Sequence, residues 1–161
     1  MGQNELQLSQ IPTVNTAMLI RRPPAQVFKA LVDPDVTTRF WFTNSTGKLM
    51  PGAHVRWDSE MYGASADVHV KELEEDHRIL IEWGEGDEFA TVEFLLVPFD
   101  DDATFVEVTE SGFAGTGDEL LARIAGSTGG FTIMLCALKA LLEHDVVLTA
   151  VADRFPKGLD H

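Results

Sequence analysis

The chain predicts an α+β fold in which a single curved antiparallel sheet of six or seven strands packs on one long C-terminal helix, and three observations predict it. Leu120, Ile124, Phe131, Leu135, Leu138 and Leu142 recur at steps of three, four and seven within residues 119–144, which places them on one face of a helix with ~3.6 residues per turn. Between residues 53 and 110, runs of strand length alternate apolar and polar side chains and are separated by turn signals. The order is strand, two short helices, five strands and a long helix, with short breaks between the strands. Such an order gives neighbouring antiparallel hairpins in one sheet.

The first strand is residues 13–20, and Arg21-Arg22-Pro23-Pro24 stops it. Proline is tolerated at the start of a helix, where its missing N–H would be unpaired anyway, so residues 25–32 follow as a short helix with Val27, Phe28, Leu31 and Val32 on its apolar side. Asp33-Pro34 ends it, because the residue before proline avoids the helical region. Residues 35–42 form a second helical turn leading into Phe40-Trp41-Phe42, and Pro51-Gly52 is the turn before the sheet.

Strands are expected at 53–58, 65–73, 78–83, 90–97 and 104–110, with breaks at Tyr62-Gly63, Glu75-Asp76, Gly84 to Gly86 and Asp100 to Asp102. Successive side chains on a strand point to opposite faces. Val55 and Trp57, Val68 and Val70, Ile79, Ile81 and Trp83, Val92, Phe94 and Leu96, and Val106 and Val108 therefore build one apolar wall. His54, Arg56, Asp67 and His69 fall on the solvent side by the same alternation. The sequence GSTGG at 126–130 interrupts the long helix's pattern and predicts a break or kink, since each glycine costs ~1 kcal/mol against alanine in a helix.

The chain's 161 residues, 45% hydrophobic and 24% charged, suit one globular domain. Its expected span is 13–145, with an N-terminal extension at 1–12 and a C-terminal tail at 146–161. Twelve Lys plus Arg against 26 Asp plus Glu give a formal charge of -14, which repels phosphate backbones and argues against a nucleic-acid partner. Cys136 is the only cysteine, so an intramolecular disulfide and a thiolate metal cluster are excluded; within the apolar helix it is expected to be an inert small hydrophobe. The N-terminus lacks the basic and apolar regions of a leader, Leu6 breaks a lipidation pattern, and no continuous apolar run approaches ~18 residues. A cytoplasmic protein without a membrane span is the expectation.

Motif searches narrow the chemistry by exclusion. Gly112, Gly115 and Gly117 lack dinucleotide-binding spacing, GSTGG is not followed by the lysine of a phosphate loop, and HExxH and GxSxG are absent. His54, His69, His77, His144 and His161 are scattered in sequence. No cofactor and no metal site is expected.

Several segments, taken in order, resemble a known family: PPAQVFKALVDPDVTTRFW, the Pro51-Gly52 turn, HRILIEW, TFVEVTESGF and GGFTIMLCALKALLEH. They resemble the Bet v 1-like, START-like (SRPBCC) helix-grip superfamily, and within it the branch of activator of Hsp90 ATPase homologue 1-like proteins. The resemblance covers roughly residues 13 to 145. One departure is Gly130-Phe131, where the family pattern has glycine followed by tryptophan, so a large ring is kept and an indole hydrogen bond is lost.

The resemblance implies a helix-grip fold with a cavity between helix and sheet, used by relatives for apolar small molecules and, in a few, for cyclisation or hydrolysis. By position, Phe28, Leu31, Phe40, Trp41, Trp57, Trp83, Phe94, Phe131, Leu135 and Leu138 are the candidate lining. Ordinary core packing is the plainer reading of each, while ten Phe and three Trp in one chain favour an aromatic ligand wall. Alternation from Val106 and Val108 carries Glu110 inward. A carboxylate in an apolar cavity is a candidate acid or base, though pairing with an arginine or exposure at the strand's end is the simpler expectation.

Three functions follow, in order of preference. The first is a carrier or sensor of a hydrophobic small molecule. The second is an Hsp90 co-chaperone-like interaction module, of which the resemblance covers one of two domains, with no room for the other in 161 residues. The third is a polyketide cyclase or hydrolase-like enzyme using an inward carboxylate. A chaperone contact or a homodimer are the partners beyond the ligand.

Overall fold

A computed structural model of the protein describes residues 6–59 and 64–156. The expected turn at Tyr62-Gly63, residues 1–5 of the N-terminal extension and 157–161 of the tail lie outside the described residues. In chain order the elements are β1 (Val14–Ile20), α1 (Pro24–Val32), α2 (Pro34–Thr37), β2 (Asn44–Ser45), β3 (His54–Ser59), β4 (Ala64–Glu74), β5 (Arg78–Glu85), β6 (Glu88–Phe99), β7 (Ala103–Ser111), α3 (Gly117–His144) and α4 (Ala150–Asp153).

The seven strands form one antiparallel sheet in the order β1-β7-β6-β5-β4-β3-β2. The first strand thus joins the last, beside β7, in a register running from Val14 opposite Glu110 to Ile20 opposite Thr104. A two-residue hairpin connects β5 to β6, with Glu85 opposite Glu88 and Gly86 at φ 65°. Gly84 lies within β5 rather than in the turn; a Cβ there would stand 1.9 Å from the Glu88 carbonyl oxygen, so only glycine fits.

The inward residues expected from alternation, among them Val68, Val70, Ile79, Ile81, Val92, Phe94, Val106 and Val108, are buried in one core with Val27, Leu31, Leu135 and Leu138. This confirms the helix-grip architecture, with α3 crossing the sheet. Side-chain ties fasten α3 to β1. Thr16 and Thr132 share a hydroxyl hydrogen bond of 2.8 Å, and Lys139 donates to the Leu19 carbonyl at 2.9 Å and to the Glu143 carboxylate at 2.6 Å. Glu143 also accepts from the Arg21 amide at 2.8 Å. Desolvation acts to raise the Glu143 carboxyl's pKa, but the Arg21 amide and Lys139 ammonium together hold it below the usual range.

Several expectations are corrected. α3 runs unbroken for 28 residues through Gly126, Gly129 and Gly130, and the C-terminal segment packs over the bare helix face that Gly129 and Gly130 leave. The second short helix ends at Thr37, and backbone turns carry the chain on to Trp41. β2 went unanticipated because two residues bear no periodicity. Cys136 is exposed rather than core, since Met134, Leu135, Ala137 and Leu138 take the buried side of its turn. By length and composition α3 would suffice for a membrane crossing, with mean hydropathy of 1.4 over 18 residues, which glycine and hydroxyl residues hide from a search for continuous apolar runs. Here its buried stripe faces the sheet, and such core helices meet the same criterion.

Candidate ligand-binding site

Trp41 is the hub of the site. It stands in the loop after α2, where the chain turns toward β2, and its ring centroid lies 5.0 Å from Trp57, 5.8 Å from Phe94, 6.0 Å from Trp83 and 6.1 Å from Phe131. These rings come from β3, β6, β5 and α3, so the cluster joins sheet, helix and loop. Most pairs are tilted or edge to face, the arrangement favoured by ring quadrupoles. Trp83 and Phe131, 5.5 Å apart, complete the wall beneath Trp41.

Trp41, Trp83 and Phe131 line a cavity of about 140 Å³ with Gly130, Ile133, Val151, Arg154 and Phe155. A larger cleft of about 660 Å³ adjoins it, sharing Trp41 and Val151 and reaching from Thr38 to Ala152. The C-terminal segment forms the outer wall of both. Asp145 adopts a left-handed conformation, φ 52°, which ends α3 and reverses the chain. The following residues, including Leu148 and Val151, then run back along the cleft.

Of the candidate lining residues, Phe40, Trp41, Trp83 and Phe131 border one or other space. Phe28, Leu31, Trp57, Phe94, Leu135 and Leu138 border neither and are buried in the core, with Trp57 stacked on Phe42 at 4.1 Å. Sequence reasoning missed Val151, Arg154 and Phe155, which carry no periodic signal. Their trace in the sequence is the glycine-rich stretch on α3 that receives them.

Glu110 is neither exposed nor paired with arginine, contrary to the simpler expectation. It is 3% exposed and its Oε2 accepts a hydrogen bond from Trp83 Nε1 at 2.7 Å, while Oε1 has no hydrogen-bond partner among the described residues. Trp83 lies opposite Ala90 and Glu110 opposite Val92, so the indole reaches diagonally across β6 to the carboxyl group on β7. Glu110 thereby fixes the orientation of the Trp83 ring. A carboxylate holding an indole behind the wall differs from one presented to a substrate, because it does not line the cavity.

On the opposite face of the sheet, His54 and His69 face outward as expected, and, though 15 residues apart in sequence, their rings stack at 4.0 Å across β3 and β4. They border a separate cleft of about 570 Å³ with Arg56, Asp67, Glu82 and Phe89. The Glu82 carboxyl is held below its usual range, chiefly by its hydrogen bond from Lys71. No group of three or more His, Cys, Asp or Glu able to hold a metal occurs among the described residues.

The family described as activator of Hsp90 ATPase homolog 1-like protein matches residues 21–143. Among curated proteins, none matches the chain. Among solved structures, protein SSP2350 from Staphylococcus saprophyticus is 27% identical, with a TM-score of 0.74 over 86% of this chain and 97% of that one. DynU16, a protein of the dynemicin biosynthetic locus, is 25% identical with a TM-score of 0.72, over 84% of this chain and 48% of its own. The Aha1 dimer from Colwellia psychrerythraea is 21% identical with a TM-score of 0.71, over 83% of this chain and 97% of that one, a likeness of fold. The family match spans α1 to the end of α3, the elements that build the aromatic wall, and the chain belongs to the activator of Hsp90 ATPase homolog 1-like family.

Proposed function

We propose that the protein binds a small apolar molecule at the aromatic wall between the sheet and α3, as a carrier or sensor. The observation that carries this reading is the space bounded by Trp41, Trp83 and Phe131: three large rings, packed against one another at one end of the core, line a cavity. Apolar cavities with aromatic walls are the usual form of small-molecule sites. The about 140 Å³ here is small against the ~300 to 1,000 Å³ of drug-sized pockets. The adjoining cleft gives a ligand room to extend.

Removing ~300 Å² of apolar surface from water contributes about 7.5 kcal/mol before the cost of association. Micromolar affinity requires ~8.2 kcal/mol. A neutral apolar ligand held by this burial alone should therefore bind more weakly than micromolar. Titration with the neutral fluorophore N-phenyl-1-naphthylamine tests this; saturable enhancement that Trp41→Ala and Trp83→Ala weaken is the expected result. Absence of enhancement with the wild-type fold intact overturns the reading. An enzymatic role for Glu110 has less support, since the Trp83 indole occupies one of its oxygens. A chaperone contact, or a dimer as in the Colwellia protein, draws on family likeness rather than on a side-chain arrangement in this chain.

A further inference from the structure

Arg154 follows α4 and lies over the glycines of α3. A Cβ on Gly129 would stand 2.6 Å from its Nη2, and one on Gly130 3.1 Å from its Nη1. Nη1 donates to the Gly126 carbonyl at 3.0 Å, and the Phe155 ring centroid lies 4.7 Å from Cζ. Helix and ring thus grip the guanidinium at the wall of the cavity that Trp41, Trp83 and Phe131 form.

Among the described residues Arg39, Arg56 and Arg78 each have a carboxylate within ion-pair distance; Arg21, Arg22 and Arg123 do not, but these three do not border the cavity. Arg154, which does, has no such carboxylate among the described residues, in a chain with 26 acidic side chains. Its Nε and Nη2 donors have no protein acceptor among those residues. A guanidinium is a planar fork that matches the two oxygens of a carboxylate. The net charge of -14 disfavours anions in general. Only an anion that brings an apolar body into the cavity gains enough to settle beside Arg154.

We infer that the ligand is an apolar carboxylic acid, whose ring or chain lies against Trp41, Trp83 and Phe131 and whose carboxylate pairs with Arg154. The inference rests on the proposed apolar site and names its ligand class. Burial alone holds a neutral molecule of this size weakly, and a charge-assisted pair adds to it.

Displacement of N-phenyl-1-naphthylamine from the full chain by 2-naphthoate and by 2-naphthamide, which share their ring system, tests it. At low ionic strength the acid should bind about tenfold more tightly than the amide, and the preference should shrink with added salt. Arg154→Gln should bring the two to within about twofold of each other. Gly129→Ala is the second variant: its methyl displaces the guanidinium while alanine favours the helix, so the preference should fall in a protein that folds at least as well. Equal binding of acid and amide to the wild type, with the fluorophore still bound, overturns the inference and leaves the apolar site standing. Failure of the fluorophore to bind removes both.

Discussion

Leu135→Ala should destabilise the protein by about 4 kcal/mol. Leu135 is fully buried at the centre of α3, in the core that also holds Leu31 and Phe94, and it borders neither the cavity nor the adjoining cleft. Leucine-to-alanine changes in such sites cost ~2.7 to 5 kcal/mol, the transfer energy of the lost atoms plus a penalty for the residual void. The low end belongs to sites beside existing space, where less packing is lost. Leu135 has no such space, which places it in the upper half of that range. For a domain of this size ~1 kcal/mol shifts the melting temperature by ~2 to 4 °C, so a fall of roughly 8 to 16 °C is expected. Urea titration of both proteins gives the free energies directly, provided the slope with denaturant is unchanged. Phe131→Ala supplies the contrast, because its ring lines the cavity and its loss should be small for so large a side chain. A loss below about 1.5 kcal/mol for Leu135→Ala at unchanged slope would refute the placement of α3's buried stripe.

Two further predictions concern buried carboxyl groups. Trp83→Phe should cost roughly 1 to 3 kcal/mol, because it strips Glu110 of its indole donor and leaves a buried polar side chain unsatisfied; adding Glu110→Leu should recover much of that loss in chemical denaturation, and a double variant no more stable than the single one would count against the pair. Glu143→Gln should lower stability by roughly 1.5 to 3 kcal/mol at pH 7, the scale of hydrogen bonds to a charged group. Because the folded carboxyl is depressed, that difference should hold down to the ordinary glutamate range near 4.5 and shrink as the pH falls further, through the folded value. A gap in thermal melts that stays constant with acidification would contradict the ion-pair account.

The sheet was legible because alternation is a direct consequence of strand geometry: Ile79, Ile81, Val92, Phe94, Val106 and Val108 are all buried on the face that their spacing assigned. The helical stripe succeeded for Leu120, Phe131, Leu135 and Leu138 and overlooked Met134 and Leu141, which widen the buried face at its C-terminal half. The glycines at 126, 129 and 130 misled because propensity describes an isolated helix. The role of Gly129 and Gly130 depends on Arg154, 24 residues beyond Gly130 in sequence, and no local pattern reports such a contact. For the same reason the aromatic wall was readable as a set of rings, while the division between Trp57, packed in the core, and Trp83, bordering a cavity, depends on where the C-terminal segment lies. Glu110's inward direction followed from alternation, but its partner Trp83 lies 27 residues away, two strands across the sheet.

The central claim is that the apolar ligand sits at the aromatic wall rather than elsewhere on the molecule, and intermolecular nuclear Overhauser contacts from bound N-phenyl-1-naphthylamine test it most directly. The account predicts contacts from the probe to the Trp41 and Trp83 indoles, the Phe131 ring and the Val151 methyls, the groups that line the cavity. Contacts instead to His54, His69 and Phe89, around the cleft on the outer face of the sheet, would contradict it.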